Sequence, residues 1–291
     1  MSAAASSSVP CVIDAHHHFW DGSSKDETLA AHEIFTAPYG PSELHAELEA
    51  AGVGATILVQ ARNALEENET LAAYVSEADF VAGVVYYAPL QEGLAALSVI
   101  DALAALPKPC GVRCLVGRDP LSWAKVPGQG VVWQALAARD LCWEVVPVTR
   151  EQLEVVSEVA TRAPDLRIVV DHLGRPPVPE GGFEPWASLV ADLAARPNVA
   201  MKLSVGLDVL ESWRRFEPEA LRPYVAHALD HFSEQRLFLA SNWPVVLMRA
   251  SYANAWDSLS EVLAELLGDQ APTSPVFGAA ASSWFRLSEL V

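Results

Sequence analysis

Val12-Ile13-Asp14-Ala15-His16-His17-His18-Phe19-Trp20-Asp21 is the stretch from which the fold can be read: an apolar start runs straight into a cluster of imidazoles. A strand that opens a nucleotide-binding sheet continues into GxGxxG or Walker A glycines, and neither follows here. Side chains alternate along a strand, so His16 and His18 share one face and His17 takes the other. Two imidazoles at i and i+2, on the carboxyl end of a barrel strand, can grip one divalent metal or polarise one carbonyl. The alternative is a polar strand end with solvated histidines. Three consecutive histidines beside Asp14 weigh against it.

Working outward, seven more short apolar runs follow at 55–59, 81–85, 111–115, 141–145, 167–170, 198–202 and 236–239. Most are almost continuously apolar, as strands buried on both faces should be. The segments between them read as helices. Residues 41–51 place Leu44 and Leu48 four apart and stop at Gly52, and Asn63 can cap a helix carrying Leu71 and Val75. Thr149 and Gln152 form a capping box ahead of Leu153, Val156 and Val159, with Pro164 ending that helix. Residues 217–232 align Leu221, Val225 and Leu229. Eight β units alternating with helices predict a (β/α)8 TIM barrel, with 1–11 a flexible N-terminus and 12–291 a single barrel domain. The longer connections 20–40 and 116–130 are expected to lie over the active face.

Half of the chain is apolar (51%), enough for a sizeable core, and its net charge is −18. Such acidity disfavours nucleic acid and anionic membranes as partners. No apolar run reaches the length of a membrane span, and the first ten residues lack the basic and apolar regions of a secretory signal. Cys11, Cys110, Cys114 and Cys142 have neither the density of a disulfide scaffold nor zinc-knuckle spacing, so buried reduced thiols and a cytoplasmic protein are expected. Tryptophans left at the surface would allow a homodimer.

Two further strand ends carry chemistry. Asp171-His172-Leu-Gly-Arg-Pro follows 168–170, and its histidine points to the same centre as the first motif. Leu239-Ala-Ser-Asn242-Trp-Pro ends the last strand, where a carboxylate would suit water activation; Asn242 can donate and accept hydrogen bonds but cannot take up a proton. Glu144 lies mid-strand, where a charge needs a partner or a metal. It is a candidate base or ligand, against pairing with an arginine. Arg113 and Lys202, also within apolar strands, could meet a substrate carboxylate or hydroxyls, or pair with Glu144 or Asp171. Tyr86, Tyr87, Trp20, Trp123, Trp143 and Trp243 could form an aromatic wall, or simply pack. His227 and His231, i and i+4 on an outer helix, read as a solvated face.

In this order, DAHHHFWD, VVDHLGRP, NVAMKLS and LASNWPV resemble the amidohydrolase-related barrel hydrolases. Within them the chain is most similar to the sugar-lactone and dicarboxylate-lactone hydrolases (fuconolactonase, rhamnonolactonase, pyrone-dicarboxylate lactonase), from about Val12 to Leu287. The resemblance implies hydrolysis of a small lactone or related cyclic ester, with an anionic or polyhydroxylated small molecule as substrate. His16, His18 and His172 would be metal ligands or carbonyl polarisers. His172, Asn242 and Glu144 would be the catalytic set, with Arg113, Lys202, Tyr87 and Trp243 around the substrate. It also implies one divalent ion, zinc or manganese, although some lactonases of the group work without metal. The chain departs from the family at the last strand, where GSDWP becomes ASNWP, and at Tyr86-Tyr87, Trp143-Glu144 and Val205. A metal-dependent decarboxylase of the same superfamily would add a fifth-strand histidine, where this chain has Glu144. A barrel that binds, cyclises or rearranges without activated water is the reading that Asn242 keeps open.

Overall fold

A computed structural model describes residues 11–22 and 32–287. Residues 1–10 of the terminus expected to be flexible, and 23–31 of the first long loop, lie outside the described residues. Eight parallel strands follow one another in chain order: β1 Ile13–His17, β2 Ala55–Val59, β3 Val81–Tyr87, β4 Pro109–Arg113, β5 Cys142–Val145, β6 Ile168–Val170, β7 Val199–Leu203 and β8 Leu237–Leu239. The sheet closes on itself just past β8: Asn242 N–H donates to His16 O (2.9 Å) and His18 N–H donates to Trp243 O (2.8 Å). This is the predicted TIM barrel, and every expected run supplies a strand.

Ten α-helices surround it among the described residues: α1 Pro41–Ala51, α2 Leu65–Glu77, α3 Ala96–Ala102, α4 Gln129–Ala138, α5 Arg150–Arg162, α6 Trp186–Ala194, α7 Leu207–Ser212, α8 Arg222–His231, α9 Tyr252–Leu267 and α10 Ala279–Phe285. Thr149 caps α5 as expected, its hydroxyl accepting from Gln152 N–H. Asn63 does not cap α2, which starts after Ala64 without a side-chain cap. Its amide is spent on the backbone of Leu115, bonding both N–H and C=O at 2.7 Å and tying the loops after β2 and β4 together. The segment expected to be one helix over 217–232 is a 3-10 turn, Pro218–Leu221, followed by α8. Pro223 sits in the first turn of α8, where its missing N–H costs nothing.

Two apolar layers result. The outer one packs alternate strand residues such as Val112, Trp143, Ile168 and Met201 beneath the helices. The inner one fills the lower barrel with Ile13, Ala15, Ile57, Val85, Cys110, Cys142, Val169, Ala200 and Phe238, and is plugged from below by Phe285 of α10 and by Leu287. A Cβ on Gly111 would lie 2.5 Å from Cys142 Sγ, so the bare backbone there makes room for the thiol. All four cysteines are free and only Cys11 is not fully buried. No helix among the described residues is long and apolar enough to cross a membrane. Six of the nine tryptophans are buried, and Trp20, Trp123 and Trp284 are half-buried.

Candidate active site

Above the apolar layer the barrel interior turns polar. The pairing of β1 with β2 slips between Asp14 and His17. As a result, Ala15 faces the inner layer while the next side chain, His16, also reaches inward to Glu144, Asp171 and Lys202. His17 turns the other way, to Thr56 Oγ1 at 2.8 Å. His16 and His18 therefore share a face, with their Nε2 atoms 3.1 Å apart. Trp20 lies over His18, ring centroids 6.1 Å apart. From the end of β6, His172 brings its ring to 4.8 Å from that of His16.

Below the imidazoles lie four charges, each at most 2% exposed. Register sets Arg113 of β4 directly beside Glu144 of β5. Lys202 Nζ donates to Glu144 Oε2 (2.6 Å) and to His16 Nδ1 (3.1 Å), while Arg113 donates to Asp171 Oδ2 (2.9 Å). Lys202 also lies 5.5 Å from the centre of the Phe285 ring, the top of the plug. Burial and the neighbouring Asp171 push the Glu144 carboxyl up to about 7, against Lys202 and Arg113. Burial acts on Asp171 too, but Lys202 and Arg113 outweigh it and hold that carboxyl below its usual range. Burial keeps all three imidazoles neutral, far below their ordinary values, with nearby cations and imidazoles adding to the effect.

The predicted residues divide cleanly. His16, His18, His172, Glu144, Arg113 and Lys202 come together. Glu144 is ion-paired as a buried glutamate needs, though to Lys202 more closely than to Arg113 (3.8 Å). Asn242 sits at the end of β8 with a left-handed backbone (φ +57); its amide donates to Val205 O (2.8 Å), and Oδ1 is buried without a partner. Tyr87 and Trp243, expected around the substrate, belong instead to the outer apolar cluster. The Tyr87 hydroxyl bonds Gln91, and Trp243 packs on Phe19 (6.0 Å) and Tyr39 (5.5 Å). Of the residues that could form an aromatic wall or simply pack, Trp143 packs, stacking on Trp133 (4.8 Å) outside the barrel with Trp123 beside it, and Tyr86 donates to Pro107 O (2.8 Å). His227 Nε2 lies 2.8 Å from Ala187 O, and its ring lies 4.2 Å from that of His231.

Asp171, expected as a pairing partner of Arg113 or Lys202, also stands among the imidazoles, its Oδ1 3.3 Å from His16 Nδ1. Two partners were missed. Ser204 Oγ lies 2.8 Å from His172 Nδ1, and Val59 O lies 2.7 Å from His18 Nδ1. Neither had a local sequence signal, because each comes from another strand.

The donor set fits a divalent ion. Zinc–nitrogen bonds of about 2.0–2.1 Å put two ligands about 3.3 Å apart at the tetrahedral angle, close to the 3.1 Å between His16 and His18. Donor atoms of His16, Asp171 and His172 all lie within 4.8 Å of one another. Each imidazole is also held through Nδ1, leaving Nε2 toward the centre. Ligation by His16 Nε2 requires its proton on Nδ1, and the buried, unpartnered oxygens Asp171 Oδ1 and Glu144 Oε1 stand 3.3 and 3.4 Å from that atom.

Residues 13–271 match the family described as amidohydrolase. The chain is 34% identical over 288 residues to an L-fucono-1,5-lactonase of Burkholderia ambifaria, covering 94% of this chain and 95% of that protein. It is 31% identical to an L-fucono-1,5-lactonase of Burkholderia multivorans, covering 95% and 96%. A crystal structure of an amidohydrolase from Burkholderia multivorans with bound zinc superimposes with a TM-score of 0.83 at 29% identity, over 95% of this chain and 99% of that one. This chain belongs to the amidohydrolase family of barrel enzymes.

Proposed function

We propose that this enzyme hydrolyses a small sugar-acid lactone. The observation that carries the reading is the convergence of three neutral, anchored imidazoles, from β1 and β6, at the carboxyl end of the barrel. Their setting is a chain 34% and 31% identical to two L-fucono-1,5-lactonases over nearly its full length.

The residues divide the work as follows. His18 donates through Nδ1 to a carbonyl, so its Nε2 carries a lone pair. The proton between His16 and His18 therefore sits on His16 Nε2, while His16 Nδ1 accepts from Lys202. To polarise an ester carbonyl that N–H exchanges His18 Nε2 for the substrate oxygen. Were a divalent ion bound, His16 and His18 would hold it through Nε2 with Asp171 beside them, leaving His172 free, and it would supply the same polarisation as a Lewis acid. Asn242 cannot deprotonate water, and Glu144 is spent on Lys202 beneath the imidazoles. His172 Nε2 is thus the atom that takes the water proton and returns it to the departing ring oxygen. Asn242 Oδ1, unpartnered and fixed by the bond to Val205, is an acceptor for the attacking water or a substrate hydroxyl. Decarboxylation gains no support, since β5 offers only the ion-paired Glu144.

The test is turnover of a panel of aldonolactones, followed by acid release. Wild type opens at least one of them, and His172→Ala and His16→Ala lose about 10²–10⁴-fold in kcat while staying folded. No turnover of any lactone by the wild type, or full activity in both variants, overturns the proposal.

A further inference from the structure

Each of the three imidazoles is tied through Nδ1 to a group of different hydrogen-bonding character. His18 faces Val59 O, a carbonyl that only accepts. His16 faces the Lys202 ammonium, which only donates. His172 faces the Ser204 hydroxyl at 2.8 Å, and a hydroxyl does both by rotating. This is the one side-chain hydrogen bond Ser204 makes among the described residues, and Ser204 and His172 are 2% and 5% exposed.

The backbone gives His172 a second constraint. His172, Leu173, Gly174 and Arg175 all have left-handed φ values, +52, +55, +65 and +56. For the three non-glycine residues this costs about 1 kcal/mol or more each. The turn is clamped from outside by Trp186 Nε1, which donates to Leu173 O at 2.8 Å. Such a turn fixes where the His172 Cα sits but leaves χ1 and χ2 free. The ring's orientation then comes from what it touches: the His16 ring, 4.8 Å away, and the Ser204 hydroxyl, its side-chain hydrogen-bond partner.

We infer that Ser204 is the positioning residue of His172: its hydroxyl holds the ring with Nε2 toward the reacting centre in either tautomer. His172 then presents a lone pair or an N–H there without giving up its anchor, whereas Val59 O confines His18 to one tautomer. The kinetic part of this inference rests on the lactonase reading; the tautomer part does not.

The experiment uses the full chain, stripped of metal and labelled with ring-15N histidine, as wild type, Ser204→Ala and Ser204→Thr. In Ser204→Ala the pair of ring 15N shifts of His172 moves, those of His18 stay, and Ser204→Thr restores the wild-type pair. With the lactone turned over by wild type, kcat falls about 10–100-fold in Ser204→Ala with KM little changed, and Ser204→Thr recovers most of it. Should the alanine variant not fold, Ser204→Cys keeps the volume, weakens the hydrogen bond and gives the same comparison. Unchanged His172 shifts in a folded Ser204→Ala variant overturn the inference, as does a kcat loss that Ser204→Thr leaves unrepaired. If wild type opens no lactone while the His172 shifts respond as described, the lactonase reading falls and the role of Ser204 stands.

Discussion

Asp14 and Ser241, 227 residues apart in the chain, meet through two hydrogen bonds: the carboxylate accepts the serine N–H at 2.9 Å and its hydroxyl at 2.6 Å. Asp14 also accepts from His16 N–H (3.2 Å) and the Tyr252 hydroxyl (3.2 Å), so one buried side chain ties β1, the loop after β8 and α9 together. Burial pushes this carboxyl up to about 6, with the Ser241 bonds pulling the other way.

Removing this side chain leaves several buried donors without an acceptor, each costing about 1–3 kcal/mol. Asp14→Ala should therefore lose about 3 kcal/mol or more in a urea titration, whereas Tyr252→Phe, which deletes a single donor, loses about 1 kcal/mol. Equal losses would show that the carboxylate is not the hub.

The buried pair Glu144–Lys202 gives a second prediction. Glu144→Gln leaves the buried Lys202 ammonium with Asp171, 3.5 Å away, as its remaining counter-ion and should cost about 3 kcal/mol. Adding Lys202→Met removes the under-compensated charge, so the double variant should be more stable than Glu144→Gln alone. If unfolding midpoints of the single and double variants coincide, the ion pair is not what Glu144 provides.

Thiol chemistry checks the inner layer. Burial pushes Cys114 and Cys142 up to about 12, and Cys110 well above its ordinary value. In native protein near pH 8 a disulfide reagent should therefore titrate at most Cys11, and all four cysteines only after unfolding. A folded-state pKa above the unfolded one means that stability is whole below pH 9 and declines as pH rises from 9 toward 12. Urea midpoints at pH 8 and pH 10 measure the decline, which Cys114→Ala should lessen.

Gly111→Ala should cost about 1–3 kcal/mol, because the new methyl would sit 2.5 Å from Cys142 Sγ. Cys142→Ala in the same chain should return part of that loss, a coupling that a thermal-melt double-mutant cycle reads directly.

Metal uptake is the fifth check. Protein freed of metal with a chelator should take up about one zinc, and His18→Ala should weaken that binding about tenfold or more, since it deletes one of two nitrogens already at ligand spacing. Unaltered affinity in the variant would place the ion elsewhere.

The barrel was legible because parallel strands buried on both faces leave continuous apolar runs, and those runs are short, numerous and regular here. The histidines were legible because Asp14–Asp21 and Asp171–Pro176 end strands with polar residues that a core has no use for. What stayed hidden was choice of partner. Lys202 meets Glu144, and Arg113 meets Asp171, because of strand register around a closed barrel, which no local pattern encodes. Between wall and packing, the side an aromatic takes is settled by alternation. Trp143 and Glu144 are neighbours in sequence, yet alternation sends one outward to Trp133 and the other inward to Lys202. The cap assigned to Asn63 failed because a distant backbone, at Leu115, offered both a donor and an acceptor.

The hydrogen bonds from Asn242 to His16 and from His18 to Trp243 join the earliest strand to the latest. During synthesis, β1 leaves the ribosome long before its final neighbour exists, and until then it carries an open edge and misplaced imidazoles. A nascent chain stopped short of β8 holds nearly every group of the site but lacks the partner that closes the barrel against β1. A chain truncated before residue 237 should therefore be inactive.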